Sequence, residues 1–379
     1  MSRARLGQQP ETRAGHIGWV EATAIILVHM ISKVFLIFPS RISMGAQTAA
    51  WSVPFFSGIL SVLWIWPLIS VLRAYPGKGI VDISRSLLGP FPSFAIATLY
   101  YLFNASIVAL SVDEISEAVT GVMLPLTPER FLRFVGLAVS LYLAMQGLEG
   151  LARMSVVGIF LVIGFILLTL ILSFNLWTWD SVFPVLGPGP VRLAKTYVVR
   201  QAMYGEVVSL GILAPYLRNP SDVGKIARWS GLIAGAAFSL VILACEMVFP
   251  YPTLNHTLEP LLRVTRMIYL GRFFQRVEVI LSPVWLASAT IHIAIGILVS
   301  SLVLSSMLPI KSLAFLEVVT TAVVAGLASL VPDMATQMIA NFDILRPYGL
   351  ILVAGWPLAL WAADRSKRQK GRAKESKRQ

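Results

Sequence analysis

The sequence predicts an all-α integral membrane protein of about ten transmembrane helices, built as two inverted sets of five with discontinuous helices one and six. Three observations carry that prediction. Of the 379 residues, 56% are hydrophobic and 13% charged, and the mean hydropathy is +0.76, whereas a soluble domain carries roughly 25% charged residues. Apolar runs of span length recur from residue 17 to residue 363 with no long polar interval. The first run of each set holds a charge near its middle and a proline soon after.

Crossing a hydrocarbon core of about 30 Å takes roughly 20 residues at 1.5 Å each. Candidate spans cover residues 17–38, 53–72, 91–112, 131–145 and 155–174, then 194–216, 229–249, 277–306, 313–331 and 344–362. Five spans followed by five start the second set on the opposite side of the membrane, the condition for an inverted repeat. The expected organisation is a cytoplasmic N-terminal tail (1–16), one transmembrane domain (17–363, with repeats at about 17–175 and 191–363) and a basic cytoplasmic tail (364–379). Residues 1–16 lack the apolar core and small-residue cleavage site of a signal peptide.

The net charge of +12 is a topology signal rather than a nucleic-acid footprint, because the cations cluster in short loops and in the tail. An N-terminus inside puts Arg73, Lys78, Arg85, Arg153, Arg218, Lys225, Arg228, Lys311 and the 365–378 cluster in the cytoplasm, where they face anionic membrane lipids. Arg263, Arg266, Arg272 and Arg276 then fall outside, in a segment (254–276) where Leu258, Leu261, Leu262 and Met267 recur at helical spacing. An amphipathic outer helix lying across the protein is expected there. The single cysteine, Cys245, provides neither a disulfide nor a cysteine metal site. No cofactor or metal is expected.

The two interrupted spans read Met30-Ile31-Ser32-Lys33-Val34 ahead of Pro39 and Met203-Tyr204-Gly205-Glu206-Val207 ahead of Pro215. Glycine weakens a helix and proline removes one of its hydrogen bonds. Peptide groups freed at membrane depth persist only where they line a cavity. The two breaks are therefore expected to face each other across a central site for one small polar solute. A charge at mid-bilayer costs about 2.5 to 3.5 kcal/mol even on insertion scales, so Lys33 and Glu206 need partners. They either pair or hold the carboxylate and the ammonium of a zwitterion; the plain alternative is a permanent structural ion pair. A lysine at this depth can also stand where a sodium-coupled transporter keeps its ion, which makes the site sodium-independent.

Other polar residues have two readings each. His29 precedes the first break, and His292 shares a stripe with Glu278, Ser282, Trp285 and Ser288 that can face the cavity, although a packed, hydrogen-bonded histidine is commoner. Asn104 and Ser106 either line the cavity or tie helices together. Asp113, Glu114, Glu117 and Glu246 lie near the outer ends of spans three and seven, where solvated carboxylates are expected. The candidate ligand contacts are Met30, Ile31, Ser32, Lys33, Val34, Asn104, Met203, Tyr204, Gly205, Glu206, Ser288 and His292. Enzyme chemistry finds no support: there is no phosphate loop, no metal-ligand spacing and no nucleophile elbow, and Gly187-Pro188-Gly189-Pro190 reads as a turn between spans.

Four segments carry a family likeness: Tyr75-Pro76-Gly77-Lys78 leading to Leu88-Gly89, Phe183-Pro184-Val185-Leu186-Gly187, Tyr204-Gly205-Glu206, and Gly271-Arg272-Phe273-Phe274-Gln275-Arg276-Val277-Glu278. With them, over essentially all spans, the chain resembles the B subunit of bacterial spore germinant receptors, a branch of the amino acid, polyamine and organocation transporter superfamily. The resemblance implies the ten-helix five-plus-five fold, with a ligand between the breaks in spans one and six and against spans three and eight. It also implies a subunit that senses a nutrient germinant, typically an amino acid, in the spore inner membrane beside an A subunit and a lipoprotein C subunit. Ser32-Lys33 departs from the glycine-rich break of transporter relatives, so the lysine can replace backbone contacts to a ligand carboxylate. An amino acid permease working by alternating access is the other function compatible with this fold.

Overall fold

The computed structural model describes residues 15–269, 277–330 and 334–376; within these, the side chain of Val34 is among those left undescribed. The tail through residue 14, the Gly271-to-Arg276 motif with Arg272 and Arg276, the end of span nine at Val331 and residues 377–379 lie outside the described residues.

Helix one begins as α1 (Trp19–Ile31), where the Glu21 carboxylate folds back onto the Gly18 N–H at 2.5 Å and satisfies one of the free amides of the first turn. After Ile31 the chain tightens into a 3-10 turn (Ser32–Phe35), and Leu36 leaves helical geometry at φ −97 and ψ −141. It resumes as α2 (Phe38–Ala46) with Pro39 in the first turn, where a missing N–H costs nothing. The remainder of the first set is α3 (Ser52–Ala74), a short connecting α4 (Ile80–Leu88), α5 (Pro90–Val122), α6 (Glu129–Ala144) and α7 (Gly147–Ser173).

Helix six repeats the interruption in another form. It runs as α8 (Pro190–Val199), a nine-residue 3-10 stretch (Arg200–Val208) and α9 (Ser209–Leu213), ending in a 3-10 turn that contains Pro215. Then follow α10 (Val223–Val248), the connecting α11 (Tyr251–Leu254) and α12 (Pro260–Met267), α13 (Val277–Met307) and α14 (Leu313–Ala328). Helix ten is broken as well: α15 (Met334–Met338) passes through a π-turn (Ile339–Leu345) into α16 (Arg346–Ser376).

The packing follows the inverted repeat. Spans two and seven (α3 and α10) lie along each other, as do three and eight (α5 and α13) and four and nine (α6 and α14). Span three also packs on nine, and four on eight, so exchanging the two halves leaves the pairing unchanged. A Cβ added to Gly58 of α3 would stand 3.2 Å from the Gly231 carbonyl and 3.4 Å from the Gly235 Cα of α10. Small residues are what allow two membrane helices to approach this closely. At one end of the bundle, the Ile17 N–H donates to the Tyr216 carbonyl (2.9 Å) and the Arg218 N–H to the Ile17 carbonyl (3.0 Å), joining the starts of helices one and seven across the end of helix six.

Six described helices are individually long and apolar enough to cross a membrane; helices one and six are in pieces, and α6 and α14 are short. Phe134, Phe160 and Ile171 are 70%, 71% and 70% exposed, which suits side chains that face lipid tails. The segment Ser282–Met307 of α13 is mostly enclosed by its neighbours and forms the centre of the bundle.

Three expectations are corrected. Span three does not end at residue 112, because α5 continues to Val122, so Asp113 and Glu114 are buried within the bundle. The outer segment does not form one helix from residue 254: its described helix begins at Pro260, with Leu261, Leu262 and Val264 buried, while Leu258 precedes it and is exposed. Glu246, expected in solvent, is fully buried at the end of α10.

Candidate functional site

The break in helix one sets Lys33 on a 3-10 turn, and its side chain crosses to helix six. The ammonium donates to the Met203 carbonyl and to Glu206 Oε1, each at 2.8 Å, and lies 5.9 Å from the centre of the Phe238 ring. Glu206 sits within the 3-10 stretch of helix six, where three residues complete a turn and align Met203 and Glu206 along one line. Ser209 donates to the Glu206 carbonyl at 2.6 Å and steadies that turn.

A second cation completes the cluster. Arg346 Nη1 reaches Glu206 Oε1 at 3.1 Å. Exposures of 5%, 6% and 7% for the Lys33, Glu206 and Arg346 side chains remove all three from bulk solvent. Arg346 follows the π-turn and uses it: its backbone N–H donates to the Asn341 carbonyl and its Nε to Asn341 Oδ1 at 2.9 Å. Both bonds span five residues, one π-turn. Pro347 comes next in the chain and has no N–H to continue an α-helical ladder. Two cations thus converge on one carboxylate oxygen, while Glu206 Oε2 is buried without a hydrogen bond among the described residues.

The remaining candidates divide between this cluster and its supports. Ser32 donates to the Val28 carbonyl at 2.8 Å, and its oxygen lies 2.8 Å from Ser288 Oγ, tying the break to α13. His292 donates from Nδ1 to the His29 carbonyl at 2.8 Å, and its Nε2 is 3.2 Å from Ser111 Oγ. The His29 ring is 4.7 Å from that of His292, and both its nitrogens lack partners among the described residues. Met30 and Ile31 are fully buried beside the break. Val34 contributes only its backbone to the description.

Tyr204 commits its hydroxyl to the Pro54 carbonyl at 2.5 Å, on α3. Gly205 faces α16, where an added Cβ would stand 3.7 Å from Val353. Asn104 donates to the Gly296 carbonyl at 3.1 Å and to Ser300 Oγ at 2.8 Å, tying α5 to α13. Glu278 and Ser282, from the predicted α13 stripe, line a separate cleft of about 390 Å³ with Met123 and Arg266. Among the described residues, no three His, Cys, Asp or Glu side chains come together to hold a metal ion.

The acidic residues assigned to solvent are structural partners. Asp113 pairs with Arg133 at 3.1 Å. Glu114 Oε1 accepts from the Ile37 N–H, just before α2, at 3.4 Å. Glu246 accepts from the Trp51 N–H, just before α3, at 3.2 Å. Two carboxylates therefore meet helix N-termini, where the macrodipole favours negative charge.

Residues 16–337 match the family described as "Spore germination protein". The chain belongs to that family. It is 22% identical to spore germination protein YndE of Bacillus subtilis (strain 168) over 269 residues, 70% of this chain and 74% of the relative. It is 24% identical to spore germination protein KB of the same organism over 260 residues, 67% and 69% of the two chains. Its backbone is similar to that of Mhp1, a nucleobase-cation-symport-1 family transporter in a closed conformation with bromovinylhydantoin bound. The TM-score is 0.61 at 14% identity, covering 93% of this chain and 80% of that one. The fold is that of a multi-pass membrane transporter.

Proposed function

We propose that the protein is the B subunit of a spore germinant receptor, binding an amino acid at the breaks of helices one and six and signalling through A and C partner subunits. The observation that carries this reading is the buried Lys33–Glu206 contact between the two breaks, together with the unsatisfied Glu206 Oε2. A buried acceptor with no donor costs about 1 to 3 kcal/mol or more, and a ligand ammonium removes that cost. Ser32, Ser288 and the backbone around Met203 and Gly205 form the walls in this reading, and Asn104 supports them from behind. Signalling requires the ligand to bind one arrangement of the bundle more tightly than another, since equal binding shifts no population. The subunit sits in the spore inner membrane with both termini cytoplasmic.

The test is a thermal-shift panel on the full-length purified protein across amino acids, nucleosides and sugars. At least one amino acid is expected to raise the melting temperature in proportion to the logarithm of its concentration above Kd, and Glu206→Gln is expected to abolish the shift. Stabilisation by nucleosides or sugars alone would refute the amino acid assignment. The likeness to a transporter with a small molecule bound favours a second reading, an amino acid permease working by alternating access. Protein in liposomes that accumulates or exchanges a labelled amino acid supports the permease; co-purification with A and C subunits without uptake supports the receptor.

A further inference from the structure

The amino acid reading leaves open which group receives the ligand carboxylate. Lys33 is largely committed, with two of its three N–H groups given to Met203 and Glu206 and its charge near the Phe238 ring. The N-terminus of the second half of helix one is also taken: the Ile37 N–H faces the resident Glu114 carboxylate at 3.4 Å, which disfavours a second anion there. Arg346 differs from both. Of its five N–H groups, the described residues engage Nε with Asn341 and Nη1 with Glu206. The rest of a planar fork suited to bidentate carboxylate binding remains.

The geometry points to Arg346 as the carboxylate receptor of the site, an inference that rests on the amino acid reading above: the ligand ammonium meets Glu206 Oε2 and its carboxylate meets the Arg346 guanidinium. Both groups flank one side chain, because Arg346 already touches Glu206 Oε1 while Oε2 stands unsatisfied. An α-amino acid, with its two charges on adjacent positions of one carbon skeleton, can reach both. The π-turn orients the receptor through the paired Asn341 bonds, and π-turns within helices are frequent at functional sites. The assignment makes the class of ligand specific: a free carboxylate beside a primary amine, and not an amine alone.

The experiment measures affinities of the full-length protein and its variants for each common amino acid and for the carboxamide of that amino acid, which keeps the ammonium and loses the carboxylate. Wild type is expected to prefer an acid over its carboxamide by about 10- to 100-fold. Arg346→Gln is expected to bring the two within about 3-fold of each other while retaining carboxamide binding. Arg346→Lys, which keeps a cation for Glu206 without the fork, is expected to lose several-fold of the preference and serves where the glutamine variant does not fold. The ratio is taken within each variant, so a general loss of stability does not imitate the effect. A preference unchanged in either folded variant overturns the assignment and leaves the amino acid reading standing. If wild type binds neither the acids nor their carboxamides, the amino acid reading fails and the assignment falls with it.

Discussion

Helices six and ten both leave α geometry where they meet, and they leave it in opposite directions. Helix six is overwound, nine residues of 3-10 turn from Arg200 to Val208; helix ten is underwound, seven residues of π-turn from Ile339 to Leu345. At about 2.0 Å per residue against 1.5 Å, the tight stretch is drawn out by about 4 to 5 Å relative to an α-helix of equal length. That winding aligns the Met203 carbonyl and the Glu206 carboxylate on Lys33. The wide turn instead stacks Asn341 against Arg346, five residues apart. Both devices deliver a charge to the buried centre of the bundle with its orientation set by the neighbouring backbone. The centre of this bundle is therefore built from charged side chains aimed by local winding.

The comparison is broken most directly at the residue the two helices share. Glu206→Ala leaves Lys33 and Arg346 as buried, uncompensated cations and is expected to destabilise the protein by about 3 to 5 kcal/mol, measured by thermal unfolding in detergent. For a simple pair, adding Lys33→Ala would restore most of that stability. Because Arg346 shares the carboxylate, the double variant is expected to remain destabilised and the further change Arg346→Leu to recover it. A double variant as stable as wild type would remove Arg346 from the cluster.

Asn341→Leu sharpens the wide-turn side of the comparison. Losing the bond to the guanidinium is expected to cost about 1.5 to 3 kcal/mol and to shrink the preference for acid over carboxamide, read by the same binding assay. On the tight side, Tyr204→Phe removes the hydroxyl bond to Pro54 and is expected to cost about 1 kcal/mol with no change in that preference; a changed preference would bring Tyr204 into the site. The smallest effect belongs to Ser288→Ala, about 0.5 to 1 kcal/mol in melting stability, because Ser32 keeps its bond to Val28.

Much of the centre was legible in the sequence because Lys33 and Glu206 interrupt apolar runs, where a charge has no solvent to hide in. The ten-span count was readable from recurring apolar runs of span length, and the interrupted helices one and six from the charges and prolines within two of those runs. Arg346 was not, since it stands near the start of an apolar run where an arginine reads as a flanking anchor, and a π-turn leaves no periodicity of its own in a short segment. Asn341 and Pro347 on either side of it were the available signal. Asp113 and Glu114 were misread because hydropathy ends a span at its first charges, whereas α5 runs ten residues beyond residue 112 with those charges neutralised by Arg133 or engaged by a helix terminus. Glu246 was misread likewise: a buried carboxylate that accepts a backbone N–H from a distant helix cannot be told from a wet one by its neighbours in sequence.

The two ends of the bundle are fastened differently. At the Ile17 end, main-chain bonds rivet the chain entering helix one to the chain leaving helix six, while Arg218 Nε adds a bond to the His16 carbonyl. At the other end α2 is laced to α8 and to the start of the 3-10 stretch by single side-chain threads, Thr196 to the Gly45 carbonyl at 3.3 Å and Arg200 to the Arg41 carbonyl at 3.1 Å. Side-chain threads can let go one at a time by rotamer changes, whereas the rivets require the backbone itself to shift. The laced end can thus loosen by side-chain rotation alone, whereas the riveted end moves only with its main chain.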